Sequence, residues 1–451
     1  MPSVQARTNL TAIVPGAIIK HCKVERNSGC RALRRSRMTT SATTSPSAQT
    51  SDVLADLGPI LDIDSHEMIP LHMWPEAFGE AAVKFTELAA NTSMVDNLGE
   101  NSMRRDDLGA DDDEIDPETV WEIKGPAAPS AIKMSRRVDV LDAMGVARQL
   151  VFPNFALIGV MLACNPEAHK WFGYDPEGVD RVQLGRDVIA GHNGWVLRTI
   201  GEVDDNRVRP VALILTESLE QMMADSQRLI DGGARALMIP GGEPPAGMSP
   251  ADERLDPWWK LLADANIAVT LHIGTEFPFL ASSRWASRVP QFKRADFASL
   301  EFPVEPYFGA TMNFTHENFL TVLVLGGVFE RHPTLRFGSL EITAQWIGPL
   351  AERLDLWEKQ FHRRFTGILS MKPSEYINRN VRIGPFPFED VASYFTRYPH
   401  LSDVFSFSSD FPHIEGGKGS KQKFFDNLAP LGEDVLRKFF VTNPELLLPA
   451  L

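Results

Sequence analysis

Eight short apolar runs, alternating with helical stretches, constrain this chain more than any other feature of its sequence. The runs cover 60–66, 148–153, 208–215, 236–240, 267–272, 335–341, 381–384 and 404–410. Helices are expected over 73–88, 137–144, within 165–200, over 219–231 with Gly232-Gly233 as a stop, over 258–265 and over 316–331. Strands buried on both faces read as continuous apolar runs, and parallel neighbours need a helical crossover. That pattern specifies a closed parallel barrel, the (β/α)8 TIM barrel, better than an open sheet. A bare barrel takes about 250 residues. The surplus in this 451-residue chain goes to a leader and to insertions near 95–125 and 275–314 over the C-terminal rim, with the barrel domain spanning 58–451.

Residues 1–50 stand apart. Arg7, Lys20, Lys23, Arg26, Arg31, Arg34, Arg35 and Arg37 face one acid, Glu25, and a Ser/Thr-rich run follows. The segment reads as a disordered targeting leader or, in the favoured reading, an over-extended start with Met38 as the second initiator. The body of the chain has no basic stripe, and the net charge is -14. That argues against nucleic acid and anionic membranes and for a small-molecule substrate. Cys22, Cys30 and Cys164 make neither a disulfide framework nor a thiolate zinc cluster. The chemistry therefore falls to His, Asp and Glu in a reducing, cytoplasmic setting, and no apolar run reaches the roughly 20 residues of a membrane span. The acidic run 111–114 lacks the alternating ligands of a calcium loop and reads as solvated surface.

Barrel chemistry sits where strands end. The first run closes in Asp64-Ser65-His66, and on a strand positions i and i+2 point the same way, so both side chains can grip one ion. His272 ends the fifth run, Glu341 the sixth and Asp410 the eighth. Buried ionisable groups cost several kcal/mol unless paired or metal-bound. Four or five on one rim point to one divalent metal ion, Zn2+ first, with Mn2+ or Fe2+ as alternatives.

Four motifs carry a resemblance: Ile63-Asp64-Ser65-His66, Thr270-Leu271-His272-Ile273-Gly274, the 325–336 segment with Arg331-His332-Pro333, and Ser408-Ser409-Asp410-Phe411-Pro412-His413. They resemble the amidohydrolase-related family of metal-dependent barrel hydrolases, which includes aminocarboxymuconate-semialdehyde decarboxylase-like enzymes. The resemblance runs from about residue 58 to the C-terminus. It implies a mononuclear metal held by Asp64, His66, His272 and Asp410, and a homodimer or higher homo-oligomer. The family's decarboxylases use a histidine at the end of the sixth strand; here Glu341 stands there.

A metal with an open position activates water and polarises carbonyl oxygens. Asp410 is placed to take the water's proton, and Glu341 is a second acid/base. His316, behind Thr315 as N-cap, reads either as a helix-start residue or as a catalytic and anion-binding one. His413 is expected to support the site as a donor behind the ligands, and His332 to close a helix. Arg284, Phe277, Phe279, Trp285, Phe302, Tyr307 and Phe308 suggest a lid over an apolar pocket. The leading reading is a metal-dependent hydrolase of a small aromatic or apolar substrate. A non-oxidative decarboxylase of an aromatic or unsaturated acid comes second, and a binding-only barrel third. Deleting residues 1–37 is expected to leave activity and Tm unchanged, because nothing there is patterned to pack; a large loss of either would make the extension structural.

Overall fold

The structure, a computed structural model, describes residues 53–54, 56–89, 111, 114–276, 285–292 and 305–451. The expectations for the leader, for most of the first insertion, and for Phe277, Phe279, Arg284 and Phe302 of the lid lie outside these residues.

Every strand pair is parallel. β1 (Leu61–Asp62), β2 (Arg148–Val151) and β3 (Val208–Pro210) pair in that order. β4 (Ala212–Leu213), β5 (Ala236–Met238), β6 (Ala268–His272), β7 (Arg336–Leu340) and β8 (Val381–Ile383) continue the series. The expected single strand 208–215 is thus two pieces. Pro210 has no N–H to give to a ladder, and Val211 joins the halves by donating to Val151 O at 2.9 Å, while Ile214 donates to Met238 O at 3.0 Å.

The last apolar run closes the ring. Ile383 N–H donates to Val404 O (2.9 Å) and Ser406 N–H to Ile383 O (3.0 Å) on one side. On the other, Ile63 N–H donates to Phe407 O (3.1 Å), Asp410 N–H to Asp64 O (2.9 Å) and His66 N–H to Phe411 O (2.7 Å). The first run is regular only over Leu61–Asp62; beyond it, single bridges join Ser65 to Phe411 and His66 to Phe152. Asp64 and His66 are therefore delivered at the seam where first and last strands meet.

The helices pack outside this ring. Trp258 and Trp259 are fully buried, their indole N–H groups donating to Ser226 Oγ and Pro250 O at 2.9 Å each. The long helix expected within 165–200 is Arg181–Val203, capped by Asp180. It crosses helix Leu157–Cys164 so closely that a Cβ on Gly185 would lie 2.6 Å from Gly159 O, which only a glycine permits. Two expected helices are each broken by glycine. The 73–88 stretch becomes Trp74–Phe78 and Glu80–Ala89 around Gly79 (φ 77°). The 316–331 stretch becomes Asn313–Leu325 and Val328–Arg331 around Gly326-Gly327. The N-cap of Asn313–Leu325 is Met312, so Thr315 is inside the helix and is not the expected cap. His332 ends its helix as expected, with Nε2 3.0 Å from Asp256. Asp111 is not solvated surface: its carboxylate accepts from Ser130 N–H (3.0 Å) and pairs with Arg136 (2.9 Å).

Beneath the rim lies Arg137, fully buried. It donates to His66 O (2.7 Å), Ser130 O (2.9 Å) and Gln149 Oε1 (3.2 Å) and lies over the Phe411 ring. Removing a buried charge's hydrogen-bond set leaves its acceptors unpaired, so Arg137→Met is expected to lose about 3–5 kcal/mol in urea unfolding. A change within experimental error would show that these bonds do not hold the first strand.

Candidate metal centre

The backbone places the site before the side chains do. Glu341 (φ 54°) and Asp410 (φ 52°) take left-handed conformations at the ends of the sixth and eighth runs, where non-glycine residues carry strain that surroundings must hold in place. Both carboxylates are turned onto the rim already occupied by Asp64, His66 and His272. All five residues are at least 93% buried.

The polar atoms converge around His66 Nε2. Asp410 Oδ1 is 3.3 Å away, Asp64 Oδ1 3.4 Å and Glu341 Oε2 3.4 Å. His272 Nε2 lies 3.1 Å from Glu341 Oε2 and 3.5 Å from Asp64 Oδ1. Yet Asp64 Oδ1, His66 Nε2, His272 Nε2, Glu341 Oε2 and Asp410 Oδ2 are buried and make no hydrogen bond among the described residues. An orphaned buried polar atom costs about 1–3 kcal/mol and a charged one more. A set of them aimed at one point fits a divalent cation, and imidazole nitrogen with carboxylate oxygen suits zinc, manganese or iron.

Two overlapping groups could hold such an ion: Asp64, His66, His272 and Glu341, or His66, Glu341, Asp410 and His413. The tautomers favour the first. His272 Nδ1 donates to Ile273 O at 3.1 Å, leaving a lone pair on Nε2. His413 instead spends both nitrogens, Nε2 on Asn154 Oδ1 at 3.1 Å and Nδ1 at 2.9 Å from the Asp410 carboxylate. Burial and the nearby His66 oppose a charge on His413, but Asp410 and Glu341 outweigh them and raise its pKa to about 10. It is an imidazolium, stacked on His66 with ring centres 3.7 Å apart, and so a charge partner rather than a ligand.

Burial also works against charge on His66, yet the carboxylates of Asp410, Asp64 and Glu341 raise its proton affinity well above the usual. The same field attracts a metal cation. Burial and Asp410 push Glu341 up, and His413, His66 and His272 bring it down to about 2. Burial pushes Asp410 up as well, and His413 and His66 more than reverse it, leaving its pKa lowered.

The structure thus gathers Asp64, His66 and His272 as the sequence suggested, and adds Glu341 to their group. Asp410 stands at the edge, shared between His66 and His413. His316 lies apart, inside its helix, with Nδ1 2.8 Å from Ser339 Oγ and Nε2 buried without a partner. Burial and the neighbouring His272 lower its pKa to about 3, so it is neutral. Sequence reading passed over the layer behind the ligands. Asp62 accepts from Ser409 N–H (2.8 Å) and Gln149 Nε2 (2.7 Å). Glu67 accepts from Asn154 N–H (3.0 Å), and Asn154 in turn holds His413. Asp62 carries a signal, since it stands two residues before Asp64 and so shares its strand face. For Tyr307 and Phe308 of the expected lid, Tyr307 meets Phe292 (5.6 Å) and Phe308 packs on the core, while Trp285 is exposed.

Asp64→Ala combined with His66→Ala removes two of the convergent donors. Metal content by elemental analysis is expected to fall to near zero with the fold retained by circular dichroism; stoichiometric metal in the double variant would place the ion elsewhere.

Comparison with known proteins agrees with this architecture. The chain resembles an amidohydrolase from Mycobacterium avium subsp. paratuberculosis K-10 (19% identity, 86% of this chain and 99% of that one, TM-score 0.58). It also resembles 5-carboxyvanillate decarboxylase from Novosphingobium aromaticivorans in complex with manganese (13% identity, 88% and 97%, TM-score 0.53). A third is IDCase from Metarhizium anisopliae (16% identity, 88% and 98%, TM-score 0.52). At these identities the likeness is one of fold. No curated protein sequence matches. The amidohydrolase family model matches residues 165–450, a span containing His272, Glu341, Asp410 and His413, with Asp64 and His66 ahead of it. By that match over more than half its length, the chain belongs to the amidohydrolase family.

Proposed function

We propose that this chain is a metal-dependent hydrolase acting on a small aromatic or apolar organic substrate, with zinc as the leading ion. The observation that carries the reading is Glu341. It adds a third buried carboxylate to Asp64 and Asp410, with Oε2 3.1 Å from His272 Nε2. Asp64 and Glu341 balance the charge of a divalent cation and His413 balances Asp410, so no positive charge is left over to seat a substrate carboxylate against the ion, and a neutral ester, lactone or amide carbonyl is the better fit. The ion supplies a lowered pKa for water and polarisation of the carbonyl.

The chain's own residues do the rest. Asp410 is held ionised by the imidazolium of His413 at 2.9 Å and has a free Oδ2, so it accepts a proton from an attacking water. Asn154 and Glu67 fix the ring of His413, and with it the direction of Asp410. His316, neutral with an unpartnered Nε2, is the remaining acid/base candidate, and in that state it is fit to accept a proton or a hydrogen bond rather than to supply a proton. The proposal extends to a homo-oligomer in the cytoplasm.

A second reading, non-oxidative decarboxylation of an aromatic acid, is supported by the decarboxylases among the similar structures, 5-carboxyvanillate decarboxylase and 2,6-dihydroxybenzoate decarboxylase. The two differ in water use. Aryl esters, lactones and amides, offered in 18O-labelled water beside hydroxylated benzoates, are expected to give product carrying the label. Carbon dioxide release without label would favour the second reading and sink the first. In Glu341→Gln, metal content and rate are expected to fall together, since a neutral amide is the poorer donor. Full metal with a rate lowered about 100- to 10,000-fold would make Glu341 an acid/base, and a fully active, metal-replete variant would exclude both roles.

A further inference from the structure

Lys124 is a cation beside the candidate centre that neither the ligand group nor the proton transfers above use. It lies in the connection between the first and second barrel strands. The next residue, Gly125 (φ 72°), donates its N–H to Pro412 O at 2.8 Å, which fixes this loop against the Asp410–His413 turn. The ammonium of Lys124 is shielded from solvent and has no hydrogen-bond partner among the described residues. The acids around it are Asp410, Glu122 and Glu415. Glu122 is taken by Lys418 at 2.7 Å, and Asp410 by His413 at 2.9 Å. No carboxylate of the described residues lies within ion-pair distance of Lys124.

An unpaired buried ammonium costs several kcal/mol, and a chain that only needed to fill this space would place an apolar side chain there. Burial lowers its pKa to about 8, with the nearby acids holding it up, so the group remains largely cationic at neutral pH. Among the described residues nothing pairs with it, and an anion carried by a ligand would.

We propose that Lys124 binds an anionic group of the substrate, so that the substrate is an organic acid whose carboxylate sits on Lys124 while its separate, neutral scissile carbonyl faces Asp64, His66, His272 and Glu341. The inference rests on the hydrolase reading for the identity of the reacting group. Seating of the anion on Lys124 does not depend on it. The geometry also separates two demands on the substrate: an anion beside the Asp410–His413 turn, and an uncharged carbonyl at the carboxylate-rich cluster. Lys124 is here a positioning residue.

The test measures binding alone, by titration calorimetry on the metal-loaded full chain with benzoate, inorganic phosphate and neutral benzamide. Benzoate is expected to bind more tightly than benzamide, and phosphate binding in its place would assign a phosphorylated substrate to the same amine. Lys124→Met is expected to weaken anion binding about 10-fold or more while benzamide affinity, metal content and Tm stay unchanged. Lys124→Arg, which keeps the charge, is expected to restore most of the anion affinity and covers the case in which the methionine variant fails to fold. Anion affinity unchanged in Lys124→Met would place the anion on the ion and overturn the inference, as would a wild-type protein that binds neither anion. Because no turnover is read, a chain that binds benzoate through Lys124 but hydrolyses nothing would refute the proposed function and leave this inference standing.

Discussion

Three ionised carboxylates crowd into one dry space at the barrel rim, and their mutual repulsion is the constraint on which the rest of the site depends. Asp64, Glu341 and Asp410 all lie within 3.5 Å of His66 Nε2. At such separations like charges out of water cost several kcal/mol. Cations relieve the strain from inside: the imidazolium of His413, and on His66 either a proton or, in its place, the ion that the orphaned atoms fit. The surrounding acids relieve it from outside by giving up charge. Burial raises Asp62, Glu67, Glu276 and Glu415 to about 7 each, so the inner three keep their charges while an outer ring is half neutral.

That outer ring also sets direction. Arg137 holds the His66 carbonyl and Gln149, Gln149 holds Asp62, and Asp62 holds Ser409, the neighbour of Asp410. Through this chain of buried bonds the ends of the first and last strands are fixed relative to each other. Left-handed backbone at Glu341 and Asp410 then aims the carboxylates. A ligand group fixed in this way meets its ion without reorganising, which is the condition for tight and selective binding.

Much of this was legible in the sequence because strand periodicity is local. An apolar run ending in Asp64-Ser65-His66 or in His272 announces its role within a few residues, and eight such runs imply the barrel. What was not legible depends on partners far away in the chain. Arg137 looks like an amphipathic helix residue until its partners His66 and Gln149 are brought to it from other strands. Lys124 sits in an acid-rich insertion that reads as surface, yet a single backbone bond to Pro412 carries it to the rim. In sequence His413 is a supporting donor three residues past Asp410; its stacking on His66 is set by Asn154, more than 200 residues earlier. The helix bearing His316 ends early, at Leu325, because apolar spacing alone runs through Gly326-Gly327 without registering a turn.

Closure of the ring between residues 61–66 and 404–411 has a consequence for how the chain folds. Asp62 and Ser409 are 347 residues apart, so the contact that completes the barrel is among the most non-local available, and contacts of that kind form late and slowly. The candidate metal group reaches this same seam: Asp64 and His66 lie on one side of it, and Asp410, at the edge of the group, lies on the other. The backbone around Asp64 and His66 is bonded to residues 407–411, so the group is not fully fixed until that late segment has docked. An ion held by Asp64, His66, His272 and Glu341 would tie the end of the first strand to β6 and β7, and so slow its separation from them more than it speeds their meeting.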